Sequence, residues 1–168
     1  MAVTFNYRLG NFGFFAYPEL TKESDRRGAA NFGVMDAIAA LQWVQRNIAR
    51  FGGDPKRVTI LGESAGAGMV ANLMTIPSAK GLFIRAVGES SAWSTATIAP
   101  LSTLADAEQE GAKLADAVGA QSLAELRAKP AAEIQKSGRG SGPVVDGWRI
   151  PEDPRKIFAA GKQIDIRC

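Results

Sequence analysis

The run Arg57-Val58-Thr59-Ile60-Leu61-Gly62-Glu63-Ser64-Ala65-Gly66-Ala67-Gly68 restricts the possible fold more than any other part of the chain. Three β-branched residues followed by Leu61 predict a short buried strand over 57–61. Beyond the run, Met69-Val70-Ala71-Asn72-Leu73-Met74 predicts a helix. Between strand and helix, Gly62-Glu63-Ser64-Ala65-Gly66 fits G-x-S-x-G. A central serine on a tight strand-to-helix turn is the context of a nucleophile elbow, with the hydroxyl projecting from the end of a sheet. The turn brings two backbones together, so side chains at 62 and 66 are both expected to clash. The first N–H groups of the helix then face the place where negative charge develops in acyl transfer. With 18 glycines in 168 residues, a chance match to the pattern has a probability of roughly 0.1. The flanking strand and helix are what favour a catalytic elbow over a structural turn.

A serine hydroxyl is a weak nucleophile at neutral pH and needs a base beside it, most often an imidazole. The chain contains no histidine. Either the site works without one, or these 168 residues are not the whole enzyme. The rest of the composition is that of a globular chain, 46% apolar and 22% charged, long enough for one domain with a sizeable core. The 20 basic and 17 acidic residues are spread along the whole length without a dense tract. They read as a solvated surface, so neither nucleic acid nor membrane is expected as a partner. Cys168 stands alone, which excludes an intrachain disulfide and a cysteine metal cluster. Residues 1–7 lack the basic and long apolar regions of a signal peptide, and Arg26-Arg27 is unaccompanied by an apolar run.

Alternating Val, Thr, Phe and Tyr predict a strand over 2–7. Residues 8–16 are aromatic and punctuated by glycine, a loop able to pack into the core, and 17–28 read as a surface loop. Asn31 is a plausible N-cap. Val34, Ile38, Leu41, Val44 and Ile48 then recur at spacings of 4, 3, 3 and 4, one apolar stripe on a helix. Trp43 is assigned to the core beside it. Gly52-Gly53-Asp54-Pro55 stops the helix, and Pro77 ends the helix after the elbow. A second buried strand is predicted over 83–88, helices over 101–118 and 122–136, a loop over 137–143, a short extended piece over 144–147 and a brief helix over 154–160. Alternating strands and helices predict an α/β fold, mostly parallel, with right-handed crossovers. Ligands of such sheets sit outside the C-terminal strand ends, where Ser64 and the segment 89–94 fall. No repeat or linker divides the chain, so 1–168 are expected to form a single domain.

Several blocks together resemble the type B carboxylesterase family, the α/β-hydrolases that include bacterial para-nitrobenzyl esterases and cholinesterases. They are Asn6-Tyr7-Arg8-Leu9-Gly10 with Phe12-Gly13-Phe14, then Asn31-Phe32-Gly33 with Asp36. Ala40-Leu41-Gln42-Trp43-Val44, Asn47-Ile48, Phe51-Gly52-Gly53-Asp54-Pro55 and Val58-Thr59 follow, and Gly62-Glu63-Ser64-Ala65-Gly66-Ala67 completes the run. Pro143-Val144-Val145-Asp146-Gly147 also fits. The resemblance implies a partial α/β-hydrolase fold, cut short at both ends. It implies Ser64 as the acyl-accepting nucleophile and the Ala65 N–H as one oxyanion donor. Further donors from a Gly-rich segment would precede residue 2, and the family's acid and histidine would follow Cys168. The implied substrate is a small carboxylic ester, with no cofactor or metal. The resemblance also allows a non-catalytic binding or adhesion module, or a fragment with no function of its own. Compartment and oligomeric state are left open.

Other residues invite sharper readings. Glu63 beside the serine is assigned a structural ion pair, with Arg8 as a possible partner, and not a catalytic role. Asp146, Glu152, Asp153 and Asp165 follow Ser64 in the chain order of a triad acid, but the family's acid belongs to later strands. Gly66-x-Gly68-x-x-Ala71 imitates a dinucleotide fingerprint. There, however, the first glycine closes the strand directly, and here Gly62 does so. Trp93, past the end of a strand, is a candidate substrate-pocket wall, weighed against an ordinary core tryptophan.

Overall fold

The computed structural model describes residues 1–24, 30–90, 101–138, 140 and 142–166. In chain order the helices are α1 (Gly10–Gly13), α2 (Pro18–Glu23), α3 (Phe32–Asn47), α4 (Ala65–Leu73), α5 (Leu104–Ala117), α6 (Leu123–Ala128), α7 (Ala131–Lys136) and α8 (Pro154–Ala159). The strands are β1 (Thr59–Glu63), β2 (Arg85–Glu89), β3 (Ser102–Thr103) and β4 (Val144–Val145). These elements fall into two compact units. One takes the described residues of Met1–Asn6, Val34–Pro100 and Ile150–Cys168, and the other those of Tyr7–Gly33 and Leu101–Arg149.

The first unit is built on a β-α-β crossover. β1 and β2 pair in parallel, from Thr59↔Arg85 to Glu63↔Glu89, and α4 connects and packs against both. α4 buries Ala67, Met69, Val70, Ala71, Asn72 and Leu73, more than one face of a helix, as expected where it is covered all round. The predicted α3 stripe is buried throughout, from Val34 to Ile48. Both strands lie about two residues later than expected. Asp54 accepts from the Lys56 N–H at 2.9 Å and so sets a 3-10 turn over Pro55–Arg57, which postpones the extended chain. Gly52, at φ 81°, closes the 3-10 end of the long helix in the left-handed conformation that glycine adopts most easily.

Two expectations for this unit fail. Residues 2–7 form no strand among the described residues. Propensity alone does not make a strand, and among the described residues the ladder here contains β1 and β2 only. Trp43 is not core: it is 42% exposed, off the 34/38/41/44/48 stripe, with its ring 5.8 Å from that of Phe51.

In the second unit, α5 starts on a Thr103 cap whose hydroxyl accepts from the Asp106 N–H. Leu114, Ala115, Val118, Ala120 and Leu126 form its larger apolar cluster, with Phe15, Tyr17 and Ile134 packed against it. The aromatic stretch at 8–16 thus reaches the core as expected, after one helical turn in α1. The expected surface loop at 17–28 contains α2. Pro18 opens it at the first helical position, where its fixed φ suits the helix. Glu19 accepts from the Leu123 N–H at 2.9 Å and Glu23 takes both Arg127 guanidinium nitrogens at 2.9 and 2.7 Å, tying α2 to α6. The expected helix over 122–136 is two, parted at Pro130, which cannot continue the first and precedes the second. Asn31 stands just before α3, but its side chain reaches far along the chain. Its amide donates to the Val144 carbonyl and to Asp146, and its oxygen accepts from the Val144 N–H. That clamp holds β4 beside β3 in a two-residue parallel pair.

Candidate functional site

Ser64 occupies the single residue between β1 and α4. Its backbone sits at φ 50°, ψ −114°, a conformation that costs a non-glycine residue roughly 1–3 kcal/mol. Two bonds hold it there. The Ser64 N–H donates to the Glu89 carbonyl of the neighbouring strand at 2.9 Å, and the Ser64 carbonyl accepts from the Gly68 N–H at 3.0 Å. A serine at this position ordinarily turns its hydroxyl back to cap the helix. Here the side chain makes no capping bond and the residue is exposed. The hydroxyl is left available to chemistry.

The crowding predicted around the elbow is one-sided. A Cβ added to Gly62 would lie 2.3 Å from the Gly66 carbonyl carbon and oxygen and 2.8 Å from the Ala67 nitrogen. One added to Gly66 would meet nothing within 4 Å. The close approach therefore requires glycine at 62 only, since at 66 the Cβ direction faces away from the strand. Gly66 and Gly68 both lie inside α4, as the rejection of a dinucleotide fingerprint anticipated.

Ala65 is the first residue of α4, so its N–H belongs to the helical turn that has no i−4 acceptors. Next to it the parallel register sets Glu63 against Glu89 and brings Ser90 beside Ser64. Ser90, like Ser64, is a non-glycine residue with positive φ, at 54°. The ligand position expected near 89–94 includes Ser90 without singling it out. The available signal was a polar residue just past the C-terminal end of a predicted strand. Residues 91–94, Trp93 among them, lie outside the described residues.

The expected ion pair of Glu63 is not made: the side chain is exposed and takes part in no ion pair among the described residues. Arg8 instead lies 5.2 Å over the Phe32 ring. Asp146 accepts from Asn31 and from the Trp148 N–H at 2.9 Å. Asp153 caps α8, accepting from the Arg155 N–H. Its hydrogen bonds with the Arg155 guanidinium, above all, hold its carboxyl below the ordinary value. Asp146 is thus engaged by a turn and by the Asn31 clamp, and Asp153 by a cap. No group of three or more His, Cys, Asp or Glu able to hold a metal occurs among the described residues.

A strand ending in a strained, exposed serine that opens a helix is one decisive block of a much longer resemblance. The pattern described as the carboxylesterase family matches residues 1–167. The chain belongs to the carboxylesterase family. It is 39% identical to fumonisin B1 esterase of Sphingopyxis macrogoltabida over 96% of this chain and 31% of that protein. It is also 39% identical to para-nitrobenzyl esterase of Bacillus subtilis, over 96% of this chain and 34% of that one. Human neuroligin-2 is 36% identical over 96% of this chain and 20% of its own length. Among solved structures, a Geobacillus stearothermophilus carboxylesterase matches with a TM-score of 0.82 and 35% identity, over 96% of this chain and 34% of that one. The fold of the chain is thus a partial α/β-hydrolase, helices with parallel strands. It spans about a third or less of the length of these relatives.

Proposed function

We propose that these residues are the nucleophile-bearing part of a carboxylic ester hydrolase, residues 1–168 forming part of a single catalytic domain. Ser64 attacks the ester carbonyl, the Ala65 N–H donates to the oxyanion, and the alcohol leaves as an acyl-enzyme forms. Water then releases the acid. The proton taken from Ser64 goes to a histidine that this sequence does not contain. The substrate class is a small carboxylic ester, and the chemistry calls for no cofactor or metal.

The observation that carries this reading is the Ser64 backbone: strained, exposed, and with its hydroxyl not spent on capping. The alternative is a non-catalytic binding or adhesion module, for which a strained serine serves no purpose. Two measurements test the proposal. Alone, the 168-residue chain should turn over a chromogenic short-chain ester negligibly. Robust hydrolysis lost on Ser64→Ala would mean that another base is present. Within a complete domain, an organophosphonate should label Ser64, as mapped by mass spectrometry, and an adduct on any other residue would sink the assignment.

A further inference from the structure

We propose that the N-terminal edge of the β1–β2 sheet is a docking surface for an anionic lipid membrane. It lies at the opposite strand ends from Ser64, about 15 Å away for five-residue strands, and the proposal does not depend on the catalytic reading. Three segments meet there. The Gln45 amide donates to the Pro55 carbonyl and to the Leu82 carbonyl, both at 2.9 Å. This pins the end of α3 to the turn before β1 and to the loop before β2. Gathered on those segments are Arg46, Arg50, Lys56, Arg57, Lys80 and Arg85, all exposed.

Residues 46–59 and 80–85 contain one acid, Asp54, which pairs with Arg57 at 2.8 Å. Outside these stretches 14 basic and 16 acidic residues remain, so the entire positive excess of the chain is concentrated here. The sequence shows no basic tract because the fold assembles the six cations from three separated segments. The dipole at the end of α3 accounts for Arg46 and Arg50, and Asp54 for Arg57. Lys80 and Arg85 have neither reason.

The patch also carries apolar rings. Trp43 lies three residues before Arg46 on the same face of α3, and Arg50 and Phe51 follow in the 3-10 turn that ends the helix. Trp43 is 42% exposed, beside Phe51 at 59%. Exposed Trp and Phe gain little from a polyanion whose bases are paired, and the Trp43 and Phe51 rings lie tilted against each other at 39° instead of standing apart as separate stacking platforms for unpaired bases. They gain when they enter the boundary between headgroups and acyl chains, while the flanking cations meet anionic headgroups. Cations and rings together therefore favour a lipid surface over a nucleic acid.

Vesicle flotation of the 168-residue chain tests this, because aggregates sink and only lipid-bound protein rises. The chain should float with phosphatidylcholine vesicles containing about a third phosphatidylserine, not with phosphatidylcholine alone. Flotation should vanish between about 50 and 500 mM salt, as the Debye length shortens severalfold. Arg46→Glu with Arg50→Glu and Arg85→Glu should lower partitioning about 100-fold. Trp43→Ala with Phe51→Ala should lower it with the charge unchanged. Equal flotation on neutral vesicles, or salt-insensitive flotation of the unaltered chain, would overturn the proposal whether or not the variants fold. So would retention on single-stranded RNA without flotation, which would assign the patch to nucleic acid.

Discussion

The elbow rests on two residues under opposite constraints. Gly62 is forbidden a side chain by the helix backbone 2.3 Å from where its Cβ would stand. Gly62→Ala should therefore cost about 3 kcal/mol or more in denaturant unfolding, as an overpacked site with backbone on the other side. Gly66→Ala meets no neighbour and replaces the poorest ordinary helix former with the best. It should be neutral or stabilising by up to about 1 kcal/mol. Equal losses at the two positions would refute the one-sided geometry. Ser64 is constrained in its backbone instead. Ser64→Gly should raise stability by about 1 kcal/mol by relieving φ 50° while abolishing organophosphonate labelling. Spacing alone identifies G-x-S-x-G and its serine. It does not reveal which glycine the packing demands, because both look alike until the Cβ directions are known.

The same limit governs the elements. α3 is legible because Val34 to Ile48 encode its buried face within the segment itself. The strand expected over 2–7 is not, because a strand depends on a distant partner that no local pattern specifies. α2 was hidden by the polarity of its residues, and Pro18 was its one local signal. Pro130 marked the break between α6 and α7 in plain sight, but it was outweighed by helix formers on both sides. Trp43 was misplaced because its size suggests burial while its helical angle puts it outside the stripe. A test at this scale is α8, capped by Asp153. The carboxyl is held below the ordinary aspartate value of 3.8 by its hydrogen bonds with Arg155. A depressed value means that the folded state favours the ionised form. Its contribution is complete above the ordinary value and is lost as pH falls through the lower, folded value. Asp153→Ala should cost about 1 kcal/mol at neutral pH. Unfolding curves of variant and parent should converge below pH 3.8. A difference that persists unchanged at acid pH would contradict the cap and ion pair.

At the scale of the molecule, the sheet is conspicuously uncovered. Leu61 and Val87 face each other in register and are 66% and 40% exposed, whereas parallel sheets normally have both faces buried. Covering each would contribute about 2 kcal/mol. The 168-residue chain should therefore self-associate, with light scattering that rises with concentration and falls on Leu61→Ser. A cooperative, monomeric unfolding transition would argue against this. The family and the crossover around the elbow were legible from dense local blocks such as 31–68. The basic edge was not, since its residues are spaced across 40 positions and only the fold brings them together.

The bond from the Ser64 N–H to the Glu89 carbonyl makes that amide a reporter on a strand it does not belong to. Hydrogen exchange at Ser64 should follow the opening of β2 and not the fraying of α4. A substitution that loosens β2, touching neither Gly62 nor Ser64, would then release the serine from its setting. Damage to the elbow can thus originate 25 residues downstream of it.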